Sequence, residues 1–256
     1  MVAWRLLRIV VGSALISGAV HAETTSATQP SAAPITSDNK QLLLVHSPSW
    51  FASSGTLEQY ERSAGGRWTL VRAAIAVDLG RHGMAWGRGL QQPPEHGPFK
   101  KEGDGKSPAG VFALGRAFGT AEAPPEGARA FPYLQSAAST YCVEDVRSEF
   151  YNEIIDARYV TSPSWEKWSE LRRPDGLFDW GVIVRQNAPD VRRGAGSCVF
   201  LHIWRGRNVP TSGCTAMAKE NIEAILRWLD SDAHPLLVQL PDPELAKWRT
   251  PWDLPE

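Results

Sequence analysis

Seven short runs rich in leucine, β-branched and aromatic residues commit this chain to a sheet-built fold: 41–45, 55–62, 68–79, 111–114, 178–184, 199–204 and 236–240. Each has the length of a strand and is bounded by turn-favouring residues. Ala64-Gly65-Gly66, between the second and third runs, predicts a hairpin. Only 218–229 shows clear helical periodicity. Many short strands with a single late helix predict a mainly β domain, sandwich-like or barrel-like, decorated by helices. Residues 141–173 are expected to hold a short helix and a cap over the sheet, and no chemistry is assigned to them.

The N-terminal end has a different character. Arg5 and Arg8 precede an apolar run, 9–20, that closes on Val20-His21-Ala22, the order of a secretory leader cut after Ala22. The run is too short and too rich in Gly and Ser to span a bilayer. Residues 23–39 are mostly Thr, Ser, Ala and Pro, a composition that cannot bury a core and reads as a linker. The expected organisation is a leader over 1–22, a linker over 23–39 and one domain over 40–256, exported to the periplasm with no membrane span after cleavage. At 43% hydrophobic and 21% charged, the chain is globular in composition. Its formal charge is −1, and two arginines leave with the leader, so no basic stripe is available to bind nucleic acid. Most of the eleven tryptophans are expected to serve packing.

Two glycine-rich stretches, 83–89 and 102–110, read as loops by composition. Neither is a phosphate-binding loop: Lys106-Ser107 is followed at once by Pro108 and a strand, not by a helix. Glycines there suit either tight turns or the walls of a groove.

The residues with chemical potential lie late in the chain. In the 199–204 strand His202 stands near the exit, a loop with Gly206, Asn208 and Pro210 follows, and the chain returns to Thr211-Ser212-Gly213-Cys214. A thiol needs help to become nucleophilic at neutral pH. His202 is placed to take its proton, and a helix starting near Ala218 is expected to bring its positive end close to Cys214. Gly213 lets the chain bend so that backbone amides face an oxyanion. Three cysteines in an exported chain leave at least one unpaired, and Cys214 is the one expected to be free. Cys142 and Cys198 either form a disulfide or fill the core; Cys198 shares strand parity with His202. The alternative for each residue is structural, a small buried cysteine and a hydrogen-bonded histidine. No metal is expected, because His82, His96, His202 and His234 lie far apart and no His-x-x-x-His or Cys-x-x-Cys spacing occurs. The missing Cys-x-x-Cys also disfavours a thiol–disulfide oxidoreductase.

The run from Phe200-Leu201-His202 to Thr211-Ser212-Gly213-Cys214-Thr215-Ala216-Met217 resembles the signature of the L,D-transpeptidase (YkuD-type) catalytic domain, and 103–112 resembles that family's upstream Gly-Asp-Gly-Lys-Thr-Pro segment. The resemblance implies a YkuD-like fold, no cofactor, and peptidoglycan stem peptides as partners, both as donor and as amine acceptor. It implies Cys214 as nucleophile, His202 as general base, Gly213 and Cys214 amides as oxyanion donors, and Thr211 with Ser212 lining the site. The chain departs from the family at Ile203, where Gly usually follows the histidine, in its shorter loop, and at Ala216, where the family commonly has Arg. Arg205, Arg207 or Arg88 is then expected to supply the missing charge. The same nucleophile serves an L,D-carboxypeptidase or a hydrolase that releases wall proteins, and a non-catalytic peptidoglycan-binding module is the alternative from another class.

Overall fold

A computed structural model describes residues 33–63 and 66–256, besides Met1. The expected leader, and the expected linker up to residue 32, lie outside the described residues. The stretch from 33 to 39 belongs to the folded unit instead of the linker, because Ile35 is buried in the main core and Asn39 donates to the His234 carbonyl. A single apolar residue inside a polar tract carries too weak a signal to mark that boundary.

The strands in chain order are β1 (Gln41–Ser47), β2 (Ser54–Arg62), β3 (Trp68–Asp78), β4 (Met84–Trp86), β5 (Ser107–Gly119), β6 (Tyr133–Gln135), β7 (Thr140–Val143), β8 (Ile154–Asp156), β9 (Trp168–Glu170), β10 (Trp180–Val184), β11 (Phe200–Ile203), β12 (Thr215–Met217) and β13 (Leu236–Pro241). Eight of them close a barrel-like ring in the order β10-β11-β12-β3-β2-β1-β13-β5, with β5 pairing back to β10. The expected hairpin is present as the antiparallel β2–β3 pair, running from Ser54↔Asp78 to Arg62↔Trp68 with register shifts on either side of Gln59. β4 and β6 add to β5 in parallel.

The predicted helix is α1 (Lys219–Trp228), which lays Ile222, Ile225 and Leu226 against the main core at helical spacing. Each such burial contributes about 1.5–3 kcal/mol. A second helix, α2 (Asp242–Trp248), follows β13 and packs on β1 and β13. Seven residues with Pro243 in the first turn are too few to show a helical period, which is why the sequence pattern missed it. Trp50, Trp86, Trp252 and Trp248 form a continuous chain of contacts, with ring centroids 5.3, 6.5 and 4.8 Å apart, so these four tryptophans pack as expected.

The glycine-rich stretches are not simply loops. Met84–Trp86 is a strand, and β5 begins at Ser107. A Cβ on Gly87 would lie 2.7 Å from the Pro108 side chain, and one on Gly110 would lie 2.3 Å from the Gln91 amide. Gln91 bonds Gly87 O and the Val111 amide. Glycine here serves close approach between chains, which composition cannot distinguish from a turn.

The middle segment forms a separate three-stranded sheet, β8-β7-β9, with one 3-10 turn at Ala157–Tyr159 in place of the expected helix. β11 explains its position. Leu201 and Ile203 enter the main core, whereas Phe200 faces a second cluster of Phe118, Cys142, Leu171, Phe178 and Cys198. The second cluster is therefore built between the barrel wall and the small sheet, and Cys214 packs against it. No described helix is long and apolar enough to cross a membrane.

Candidate active site

β11 and β12 run parallel, paired Leu201↔Thr215, His202↔Ala216 and Ile203↔Met217. Paired residues share a face, so His202 and Ala216 point the same way, and Cys214, one step before β12, continues that row beside Phe200. Both functional side chains open on one cavity of about 300 Å³, bounded by the 209–214 loop, Phe178 and the small sheet.

The return loop is pinned at several points. Thr211 donates its amide to Leu79 O at 2.8 Å, and Asp78 accepts the Asn208 and Val209 amides at 3.1 and 3.3 Å. The Cys214 carbonyl accepts two hydroxyls, Thr211 Oγ1 at 2.7 Å and Ser107 Oγ at 3.0 Å. Ser107 Oγ in turn accepts the Gly80 amide at 2.8 Å. The upstream Gly-Asp-Gly-Lys-Ser segment thus reaches the backbone of Cys214 through Ser107. Asp104 organises that segment, accepting the amides of Lys101 and Lys106 and pairing with Lys100 Nζ at 2.5 Å. Gly213 has φ of 145°, and a Cβ there would meet Lys106 O at 3.0 Å, so glycine is required for both conformation and space.

His202 is 7% exposed. Its Nδ1 lies 2.7 Å from Ile203 O, and because a carbonyl only accepts, Nδ1 carries the hydrogen and Nε2 keeps its lone pair. Phe178 stands edge-on to the ring at 5.0 Å between centroids and fixes its plane. The Leu177 carbonyl also bears on the ring, and the Cys214 thiol donates to Cys198 O at 3.7 Å, not to His202. Cys214 is the free cysteine, part-buried, with Sγ accepting the Phe200 amide at 3.4 Å. Cys142 and Cys198 are joined in a disulfide that ties β7 to the residues just before β11. Cys198 is outside the strand, at φ of 54°, so the parity expected between it and His202 does not hold.

Burial pushes the Cys214 thiol up to about 11; the Phe200 amide works against that shift and the Glu144 charge adds to it. Burial holds the His202 imidazole down at about 4, with the Ile203 carbonyl opposing. The resting pair is a neutral thiol and a neutral imidazole, not a thiolate–imidazolium pair. The helix does not change this. α1 starts at Lys219, and four residues, the three of β12 and Ala218, intervene, roughly 13 Å of extended chain at about 3.3 Å per residue. The expectation that α1 activates Cys214 is therefore corrected: a dipole end acts within its first turn.

Two further expectations change. The Gly213 amide donates to Thr211 Oγ1 at 3.0 Å, so it is not an oxyanion donor. The amides of Ser212 and Cys214 have no partner among the described residues and remain for that task. Arg88 is not at the cavity; it holds the 187–190 turn through Asn187 Oδ1 and Asp190 O. Arg205 does border the cavity, exposed and paired with Asp175 at 3.3 Å. Comparisons of the chain with family models, with curated proteins and with solved structures give no match.

Several residues at the cavity were not singled out in the sequence. Arg173 packs its guanidinium 5.2 Å from the Phe178 ring centre, bonds Asp175 through two nitrogens, and lies near enough to Cys214 to favour its ionised form. Lys100 Nζ lies 3.8 Å from where a Gly213 Cβ would be. Lys100, Arg173 and Arg205 line the cavity as cations, whereas Ala216, which also lines it, carries no charge. Glu102 and Glu144 also line the cavity. None of these residues sits at a fixed spacing from Cys214, so no motif could have found them. Among the described residues, no group of three or more His, Cys, Asp and Glu side chains is arranged to hold a metal ion.

Proposed function

We propose that this protein is an exported cysteine acyltransferase acting on peptidoglycan stem peptides, with a YkuD-like catalytic domain and the chemistry of an L,D-transpeptidase. The observation that carries the reading is the pairing of β11 with β12, which sets a free, part-buried Cys214 thiol and the lone pair of His202 Nε2 on one cavity. The resemblance of the 200–217 and 103–112 segments to that family supplies the substrate class. The Cys142–Cys198 disulfide supports an oxidising, periplasmic location.

In this reading His202 Nε2 takes the Sγ proton as sulfur attacks the donor carbonyl, at the L-centre of diaminopimelate. Because the thiol is neutral at rest, proton transfer accompanies attack and does not precede it. Negative charge gathers on the carbonyl oxygen, toward the Ser212 and Cys214 amides. The C–N bond to D-Ala breaks, and the departing nitrogen takes the proton from His202, leaving a thioester. The acceptor amine then attacks the thioester carbon, loses its proton to His202, and the thiol reforms. Water in place of the amine makes the enzyme a carboxypeptidase or hydrolase.

Incubation with tetrapeptide muropeptides tests this. The expected result is a mass addition on Cys214, absent in Cys214→Ala, and cross-linked dimers among the products. Shortened monomers alone would assign hydrolysis instead of transfer. If Cys214 gains no mass with any muropeptide or with a carbapenem, the fold serves binding and the enzymatic reading fails.

A further inference from the structure

Among the described residues Lys100 is the only buried lysine, 8% exposed. Its amide donates to Trp86 O at 2.8 Å, and its stem then runs past two glycines. A Cβ on Gly196 would lie 3.0 Å from Lys100 Cγ and 3.2 Å from Cε, and one on Gly213 would lie 3.8 Å from Nζ. The lysine is thus fed between the segment ahead of β11 and the turn that carries Cys214, and a side chain at Gly196 would crowd it out.

The ammonium has three N–H donors and makes two hydrogen bonds, to Asp104 Oδ1 at 2.5 Å and to Lys101 O at 3.2 Å. The third donor has no acceptor among the described residues, and Lys100 lines the cavity shared by Cys214 and His202. Burying an ammonium is costly. The 101–106 turn does not need it, because Asp104 already holds that turn through the Lys101 and Lys106 amides at 2.8 and 2.9 Å. The other cations are committed elsewhere: Arg173 bonds Asp175 through two nitrogens, and Arg205 is exposed and paired with the same carboxylate. Ser212 and Cys214, whose amides are free, flank Gly213 in the chain, so Nζ stands at the same turn as those two donors.

We infer, on the basis of the proposed acyl-transfer site, that Lys100 is a further catalytic residue, donating its third N–H to the oxygen of the carbonyl that Cys214 attacks. As the S–C bond forms, the π electrons of the carbonyl move onto that oxygen, and Nζ meets the new charge with a charge-assisted hydrogen bond while keeping its proton. When the C–N bond breaks, the carbonyl re-forms and Lys100 is unchanged. Asp104 is a positioning residue that holds Nζ at the turn.

Two reactions of the same sulfur separate this role from a structural one. A carbapenem acylates Cys214 through an oxyanion, whereas iodoacetamide alkylates it by displacing iodide and forms none. Both rates are followed by intact mass at about pH 8 on wild type and Lys100→Met. The acylation-to-alkylation ratio is expected to fall by at least about tenfold in Lys100→Met, since loss of one oxyanion donor slows acyl transfer by about 100-fold or more. Lys100→Met/Asp104→Asn, which removes both charges, serves in its place if the single variant does not fold. A smaller fall in the ratio in the folded variant, including a parallel loss of both rates, overturns the inference while leaving the acyltransferase reading intact. A wild type that no carbapenem acylates overturns both. The expected fall without muropeptide transfer upholds Lys100 and refutes only the substrate class.

Discussion

The protonation state of Cys214 gives the sharpest test of the site. With its thiol pushed up to about 11 by burial, the thiolate fraction at pH 7 is about 0.01%, against about 3% for an ordinary cysteine near 8.5. The sign follows from the direction of the shift: a thiol raised by burial gains thiolate only as pH rises towards 11. His202, held at about 4, is already neutral from pH 5 upward and offers no imidazolium to stabilise sulfur. Iodoacetamide alkylation, followed by intact mass from pH 5 to 10.5, should therefore accelerate about tenfold per pH unit with no break near neutrality. At pH 7 the rate should be roughly 300-fold below that of an unperturbed thiol, from the ratio of thiolate fractions. Cys214 is the only titrating thiol in the assay, because Cys142 and Cys198 are bridged. A rate plateau between about pH 5 and 8 would mean a preformed ion pair, and the burial argument for a neutral resting site would be wrong.

Removing the Cys142–Cys198 bridge by the double alanine replacement should lower unfolding free energy in urea by about 4 kcal/mol, from the loop-closure entropy of a separation of 56 residues; a loss under about 1 kcal/mol would refute a structural role. The same variant should acylate more slowly, since Cys198 borders the cavity and the bridge holds the small sheet against Phe200. Arg173→Ala should cut kcat/KM for acylation by about tenfold or more, whereas Arg205→Ala, whose ion pair with Asp175 is mostly solvated, should change it no more than about threefold. The reverse order in a steady-state assay would move the compensating charge to the 205–210 loop.

Local pattern determined much of this protein. β-branched runs at strand length and turn residues between them specified seven of the eight barrel strands to within a few residues, and the period of Ile222, Ile225 and Leu226 specified α1. The strand-loop-cysteine order around His202 and Cys214 singled out two side chains that the parallel β11–β12 pair sets on one cavity. The eighth ring strand, β12, is only three residues long and too short to carry a period. What tertiary structure alone decided depends on groups distant in sequence. Ser107 reaches the Cys214 carbonyl across 107 positions, and Glu102, Glu144 and Arg173 meet at the cavity from separate segments. The neutral resting state is of the same kind: a thiol's or an imidazole's proton affinity is set by how much water the surrounding walls exclude, and the barrel and the small sheet exclude it only once they have come together.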